Sequence, residues 1–447
     1  MRGRFVTGAV LAAGVAALLG GGAVARAQTL DPGRFGPPPS NEPRSTGREV
    51  VPALARPAAA APVVACSFTE SVCVHAAPRV APVAVLDTLR YAEHALRGYR
   101  ALGLPPPLPP YDVYLVPSQA APATVADLVP TSDGWDRASA FTVMPPPGPT
   151  AGCSASFAVA QGVAHAIALG LDAGAENGAL SMAGSYLGSL VADCEPAELP
   201  AIDAFQAHPE RSFAAGDPDQ PDGALLFPWF LDDTLGVGAP GRVIVGLIAM
   251  GAQHTPPGSW EWNNEPDIFD VLRNTMKPRG SSLDNVLLDF AVARAFVGSR
   301  SDGAHLTDVE RFGASGRVRF EWAVPFASLP RRLAPLAAIE PTGMTYLWLD
   351  LTGAPPGAEL TFVADWEVPA LFRWSLVKVD PSGAEAGRLD VAGVFGEHHA
   401  EKSVIGLDGL AGVMVVGVNI GSDDRSHPFD PDEQPLMPHG YTVTLVK

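Results

Sequence analysis

From Val83 to Leu102 the large apolar residues Leu86, Leu89, Leu96 and Tyr99 fall at helical spacing, and Gly103 with the prolines behind it stops the run. Tyr111 to Val116 (YDVYLV) and Ser139 to Met144 (SAFTVM) are rich in β-branched and aromatic residues and predict strands. Ser154 to Leu171 reads as a helix that is apolar on nearly every side, and a turn at Asp172 to Gly178 leads into a second, Ala179 to Val191. Further helices are predicted at Ala224 to Leu235, Gly241 to Met250, Ile268 to Met276 and Ser282 to Val297. His208, in HPER, is expected to end another.

The period changes near residue 315, from helical to alternating. Arg317 to Val324, Tyr346 to Leu351, Glu359 to Trp366, Arg373 to Asp380, Gly387 to Phe395, Gly412 to Ile420 and Tyr441 to Val446 read as strands parted by Gly, Pro and Asp turns. The expected fold class is α+β: a mostly helical, zincin-like domain over residues 63–312, then a β-sandwich over 313–447. A chain of 447 residues suits two such domains, and no internal repeat is visible.

The N-terminus changes the compartment. MRGRF, an apolar stretch and Ala25-Arg26-Ala27 form a signal peptide over residues 1–27 with cleavage near Ala27, so the protein is expected to be secreted or periplasmic. No later run reads as long and apolar enough to span a bilayer, so no membrane anchor is expected. Residues 28–62 are rich in Pro, Ala and Arg with few large apolar groups and are read as a disordered leader. Arg2, Arg4 and Arg26 leave with the signal peptide and no acid does, so the formal charge moves from −18 to −21. Such a surface repels nucleic acid and anionic lipid.

Export makes disulfides the default for the four cysteines, Cys66, Cys73, Cys153 and Cys194. Three pairings are open to them. The spacing suggests Cys66 with Cys73 as a local loop, and Cys153 with Cys194 tying the start of one helix to the end of the next.

Candidate chemistry centres on Gln161-Gly162-Val163-Ala164-His165, which has the length of an H-E-x-x-H zinc motif. In that motif two histidines at i and i+4 grip Zn²⁺ from one helix face while the glutamate activates water. Only His165 is present here. No G-x-S-x-G elbow, phosphate-binding loop or dinucleotide fingerprint occurs. The segments YAEHALRGY, YDVYLV, a helix carrying Ala164-His165-Ala166, Ala183-Gly184-Ser185-Tyr186, DAFQAHPERSF, GALLFPWFLDDTLG and SLDNVLLDFAVARAFVG occur in an order that resembles the secreted metalloproteases of myxobacteria, over roughly residues 80–447. The resemblance implies a gluzincin arrangement, with two histidines and a glutamate from the following helix on zinc. Carried over position by position, the first histidine falls on Gln161, the base on Gly162, the second histidine on His165 and the ligand glutamate on Ala183, with Gly184 and Ser185 continuing the motif. Only His165 and Gly184 match.

The expected function is therefore a secreted metallopeptidase-family protein that has lost zinc binding and catalysis and acts as a non-catalytic binding or scaffolding module for a protein or peptide partner. No catalytic residue and no cofactor is expected. One alternative is an active zinc peptidase with an atypical site, built from His165 with Glu176 or with an acid from Asp193 to Glu198. Another is a surface- or carbohydrate-binding protein. Lesser candidates have plainer readings. Glu176 suits a solvated turn or helix cap, and adjacent His398 and His399 point to opposite faces. Asp423, Asp424, Asp430, Asp432 and Glu433 suit a solvated acidic loop, and Trp260 and Trp262 suit interface packing rather than sugar stacking.

Overall fold

Alternation along Tyr111–Leu115 splits that strand cleanly, with Tyr111, Val113 and Leu115 in the main core and Tyr114 in a small cluster on the other side. In this computed structural model the described residues are 48–50, 54–58, 61–130, 133–192, 194, 198–214, 221–236, 239–255, 261–392, 398–422 and 437–447. All belong to one unit, Glu42–Lys447. The signal peptide, most of the leader, Trp260 and the five-acid loop from Asp423 to Glu433 lie outside the described residues.

The chain begins with β1 (Arg48–Val50), β2 (Val63–Cys66), β3 (Val72–Ala76), α1 (Pro82–Ala101), β4 (Tyr111–Leu115), β5 (Ala123–Pro130) and β6 (Ala138–Met144). Five of these strands form a sheet in the order β2-β3-β4-β6-β5. The central pairs β3/β4 and β4/β6 are parallel, and the outer pairs β2/β3 and β5/β6 are antiparallel. Helix α1 has Pro82 at its start, where a fixed φ and a missing N–H cost nothing. Gly103, at φ +73°, turns the chain just beyond its end. The buried face of α1 is Val85, Ala92, Ala95, Leu96 and Tyr99, whereas Leu86, expected on that face, is exposed.

Next come α2 (Gly152–Leu169), α3 (Asn177–Val191), α4 (Leu199–Ala207), α5 (Leu226–Leu235), α6 (Arg242–Gly251), β7 (Glu261–Asn263), α7 (Ile268–Met276) and α8 (Leu283–Ala295). β7 pairs with β1, and α4 ends at His208. Helix α2 does have the length and apolar composition of a membrane span, contrary to the sequence expectation. Its place explains the composition: it lies against β6 and β5 on one side and α1 and α3 on others, so nearly every face is covered. Cys153 at its start is bonded to Cys194 beyond the end of α3, and Cys66 to Cys73 across the β2/β3 hairpin. These bonds fit an oxidising, extracytoplasmic compartment.

The remaining strands are β8 (Trp322–Pro325), β9 (Arg331–Leu333), β10 (Met344–Asp350), β11 (Leu360–Trp366), β12 (Ala370–Val379), β13 (Glu385–Ala392), β14 (His399–Val404), β15 (Gly412–Ser422) and β16 (Tyr441–Val446). They make a five-stranded sheet, β13-β12-β15-β10-β8, and a four-stranded sheet, β14-β11-β16-β9. Phe362, Trp366, Val443 and Leu445 of the second share a core with Leu347, Leu349, Trp374, Val413 and Val415 of the first. The alternate residues Met344, Tyr346, Met414, Val416, Val418 and Ile420 join the helical core instead. The five-stranded sheet is thus apolar on both faces, and the packing runs unbroken across residue 313.

One side chain holds that junction. Arg294 of α8 is fully buried. Its guanidinium lies 3.6 Å from the centre of the Phe205 ring, donates to Gln206 Oε1 at 2.8 Å and to the Phe205 carbonyl, and meets Met344 Sδ at 3.6 Å. Burial without a carboxylate in direct contact lowers its pKa to about 10.

Candidate functional site

The helix pair α2/α3 carries every position singled out by the motif, and the two helices approach closely because α3 turns glycines toward α2. A Cβ at Gly184 would lie 2.0 Å from His165 Cδ2, and one at Gly188 would lie 3.3 Å from the Gln161 backbone nitrogen. The His165 ring therefore rests on the bare backbone of α3. Gln161 Nε2 donates to Ser185 Oγ at 3.0 Å, so the side chain in the first histidine position is used in joining the helices.

Gly162 faces the sheet. A Cβ there would come within 2.6 Å of Thr142 Oγ1 and 3.2 Å of Thr124 Oγ1. Those two hydroxyls lie 2.8 Å apart, and Thr142 is also 2.8 Å from the Tyr111 hydroxyl. Burial raises the Tyr111 pKa, keeping it a neutral hydrogen-bonding group. The space beside Gly162 thus holds a closed cluster of neutral hydroxyls. Ala183 is fully buried among apolar side chains of the main core. Gly184 and Ser185, one and two positions further on, meet His165 and the Gln161 side chain respectively, and Gly188 meets the Gln161 backbone.

Glu176 is the residue before α3, in the N-cap position, and it is buried rather than solvated. Glu198 is buried too, and pairs with Arg311 at 3.1 Å. His398 bonds the Ala370 carbonyl and His399 the Asp365 carboxylate, so the two histidines have separate partners. Trp262 is buried against Ala126, Ala138 and Ala173, which removes it from any sugar-stacking role. Among the described residues no three His, Cys, Asp or Glu side chains converge as a metal site.

A pair of buried acids, Asp136 and Asp172, went unnoticed in the sequence because they lie in different loops. Asp136 Oδ1 accepts the Gln253 amide at 2.6 Å and its carbonyl accepts the Ala173 amide at 2.7 Å, while Asp172 Oδ1 accepts the Gly174 amide at 2.9 Å. Burial raises both pKa values, that of Asp136 to about 7, and the charge of Asp136 adds to the rise at Asp172. The folded state therefore holds more protons than the unfolded state between the ordinary carboxylate range, roughly pH 4, and about pH 7. Stability falls as pH rises through that window. Asp172→Asn, which keeps the acceptor for Gly174, should raise stability at pH 8 by on the order of 2 kcal/mol and flatten the profile between pH 5 and 8, read by urea unfolding at each pH. An unchanged profile would show that burial does not hold these acids protonated in the folded state.

No family model matches the sequence, and a search of curated proteins finds no match either. What the fold and bonds define is an α+β protein of an oxidising compartment.

Proposed function

We propose that this is an exported, non-catalytic binding or scaffolding protein, built on a zincin-like framework of sheet and helices with a β-sandwich behind it. The observation that carries this reading is the packing at Gly162 and Gly184: the places where a base and a ligand-bearing helix face would stand are filled by Thr142, Thr124 and the His165 ring. The residues present do not fit a catalytic zinc. Such a site needs three donors and an open position, whereas Gln161 is engaged with Ser185 and Ala183 has no donor atom.

The test is metal content and turnover together. Protein purified without chelator is expected to carry well under one zinc per chain and to leave casein uncut. Casein cleavage that a chelator abolishes, with about one zinc per chain, would overturn the proposal.

A further inference from the structure

The outer face of the first sheet, away from α1 and α2, carries a notch that the chain fills with its own leader. His75, Asp112, Tyr114, Phe141 and Asp127 lie on this face, from β3, β4, β6 and β5. His75 stacks on Tyr114 with ring centres 4.5 Å apart, and Tyr114 meets Phe141 edge-on at 5.6 Å. Composition places Leu54 to Ala61 in a disordered leader, yet the described part of this stretch is docked. The Leu54 amide donates to the Ala126 carbonyl at 3.1 Å. Arg56 Nε donates to Asp127 Oδ2 at 2.5 Å, Nη1 to Asp112 Oδ2, and Nη2 to the Pro110 carbonyl at 2.7 Å. The guanidinium also lies 5.5 Å from the centre of the Phe141 ring, and Ala61 is fully buried against Tyr114 and Phe141.

We propose that this notch is a docking site for an extended, arginine-bearing peptide segment, occupied in cis by Leu54–Ala58 and Ala61 and open to an equivalent segment from another chain once the leader is displaced. Three observations converge on it. The specificity is that of a guanidinium: three of its nitrogens meet three acceptors on β4, β5 and the loop before β4, a fork that lysine cannot match. Emptying the notch would take the guanidinium from Asp112 and Asp127, leaving His75 Nε2 at 3.4 Å from Asp112, and would strip cover from two large rings, so the empty face has a standing demand for the same chemistry. Within Leu54–Ala58 the side-chain attachment rests on Arg56, because Leu54 keeps half its surface exposed and the others are small or proline, while the strand β1 upstream is held separately by its pairing with β7. A contact whose energy is concentrated in one anchor is weakened strongly by the loss of that anchor. The proposal is independent of the metal-site reading, since none of its residues lies on α2 or α3.

The experiment uses the full chain as wild type, as Arg56→Ala and as Arg56→Ala/Asp127→Asn, with a fluorescent synthetic peptide of residues 48–62 as probe. Arg56→Ala is expected to bind the peptide at least about tenfold more tightly than wild type, whose own leader competes. The Asp127→Asn chain and a peptide carrying Arg56→Ala should each lose at least tenfold. Hydrogen exchange provides the second readout: the Leu54 amide should exchange at least tenfold faster in Arg56→Ala, while amides of β4 and β6 stay protected and report an intact fold. Equal binding to wild type and Arg56→Ala would overturn the proposal, as would binding to neither or unchanged protection at Leu54.

Discussion

Gly162→Glu is expected to lower the stability of the fold by roughly 4 kcal/mol or more, because the new side chain meets a filled space and brings a charge into it. Its Cβ alone would stand 2.6 Å from Thr142 Oγ1, whose hydroxyl is already engaged with Tyr111 and Thr124. The carboxylate beyond it would lose water without gaining a cation. Gly162→Ala separates the two causes: it adds only the steric part and should cost about 1–3 kcal/mol, the range for overpacking a core, less the helix propensity gained over glycine. Urea unfolding of both variants checks this. A glutamate variant within about 1 kcal/mol of wild type would mean that the sheet and α2 can part to admit a side chain, and the packed-site account of this protein would then fail. The same reasoning applies to a rebuilt motif carrying Gln161→His and Ala183→Glu as well. Position 183 is fully buried in apolar surroundings, so a second acid would enter the core, and zinc uptake would have to offset two buried carboxylates.

Arg294→Ala should be comparably severe, at about 3–5 kcal/mol. The substitution empties the volume of a large side chain at the junction of α8, α4 and β10, and it strands the Phe205 carbonyl and Gln206 Oε1, both acceptors out of reach of water. Gln206 also donates to the Gly316 carbonyl at 2.6 Å, so the damage would spread to the turn leading into the second half of the chain. Arg294→Met refills most of the volume without the hydrogen bonds and should recover part of the loss. If the alanine variant unfolded at the same urea concentration as wild type, the buried guanidinium would have no structural role.

Elements whose cues are local were legible from the sequence. Ile268 to Met276 is a helix with the bounds its periodicity predicts, and Asp267 caps it by accepting the Asp270 amide. The strands β10, β11, β12, β15 and β16 follow from alternation because each has a distinct apolar face, and in β15 both faces are apolar. The short strands β9 and β14 were not foreseen. β9 has three residues, and β14 has exposed side chains at four of its six positions, so neither presents a full apolar row. Leu86 was misplaced on the buried stripe because spacing alone does not say which face of α1 meets the sheet. Small alanines won that face, where they let α1 sit close to α2.

The candidate site divides in the same way. By itself the sequence determined what is missing from the motif, since a glycine has no carboxylate and an alanine no donor wherever they are placed. It also suggested the cysteine partners, because spacing and export limit the options. Only the tertiary structure decided that Gly162 and Gly184 face filled space, that Asp136 and Asp172 are buried close enough for their charges to interact, that Arg294 is buried and that Arg56 is held between Asp112 and Asp127. Each of these joins residues from separate segments, and the energies that fix them, desolvation, steric exclusion and the pairing of charges, depend on distances that no local pattern along the chain encodes.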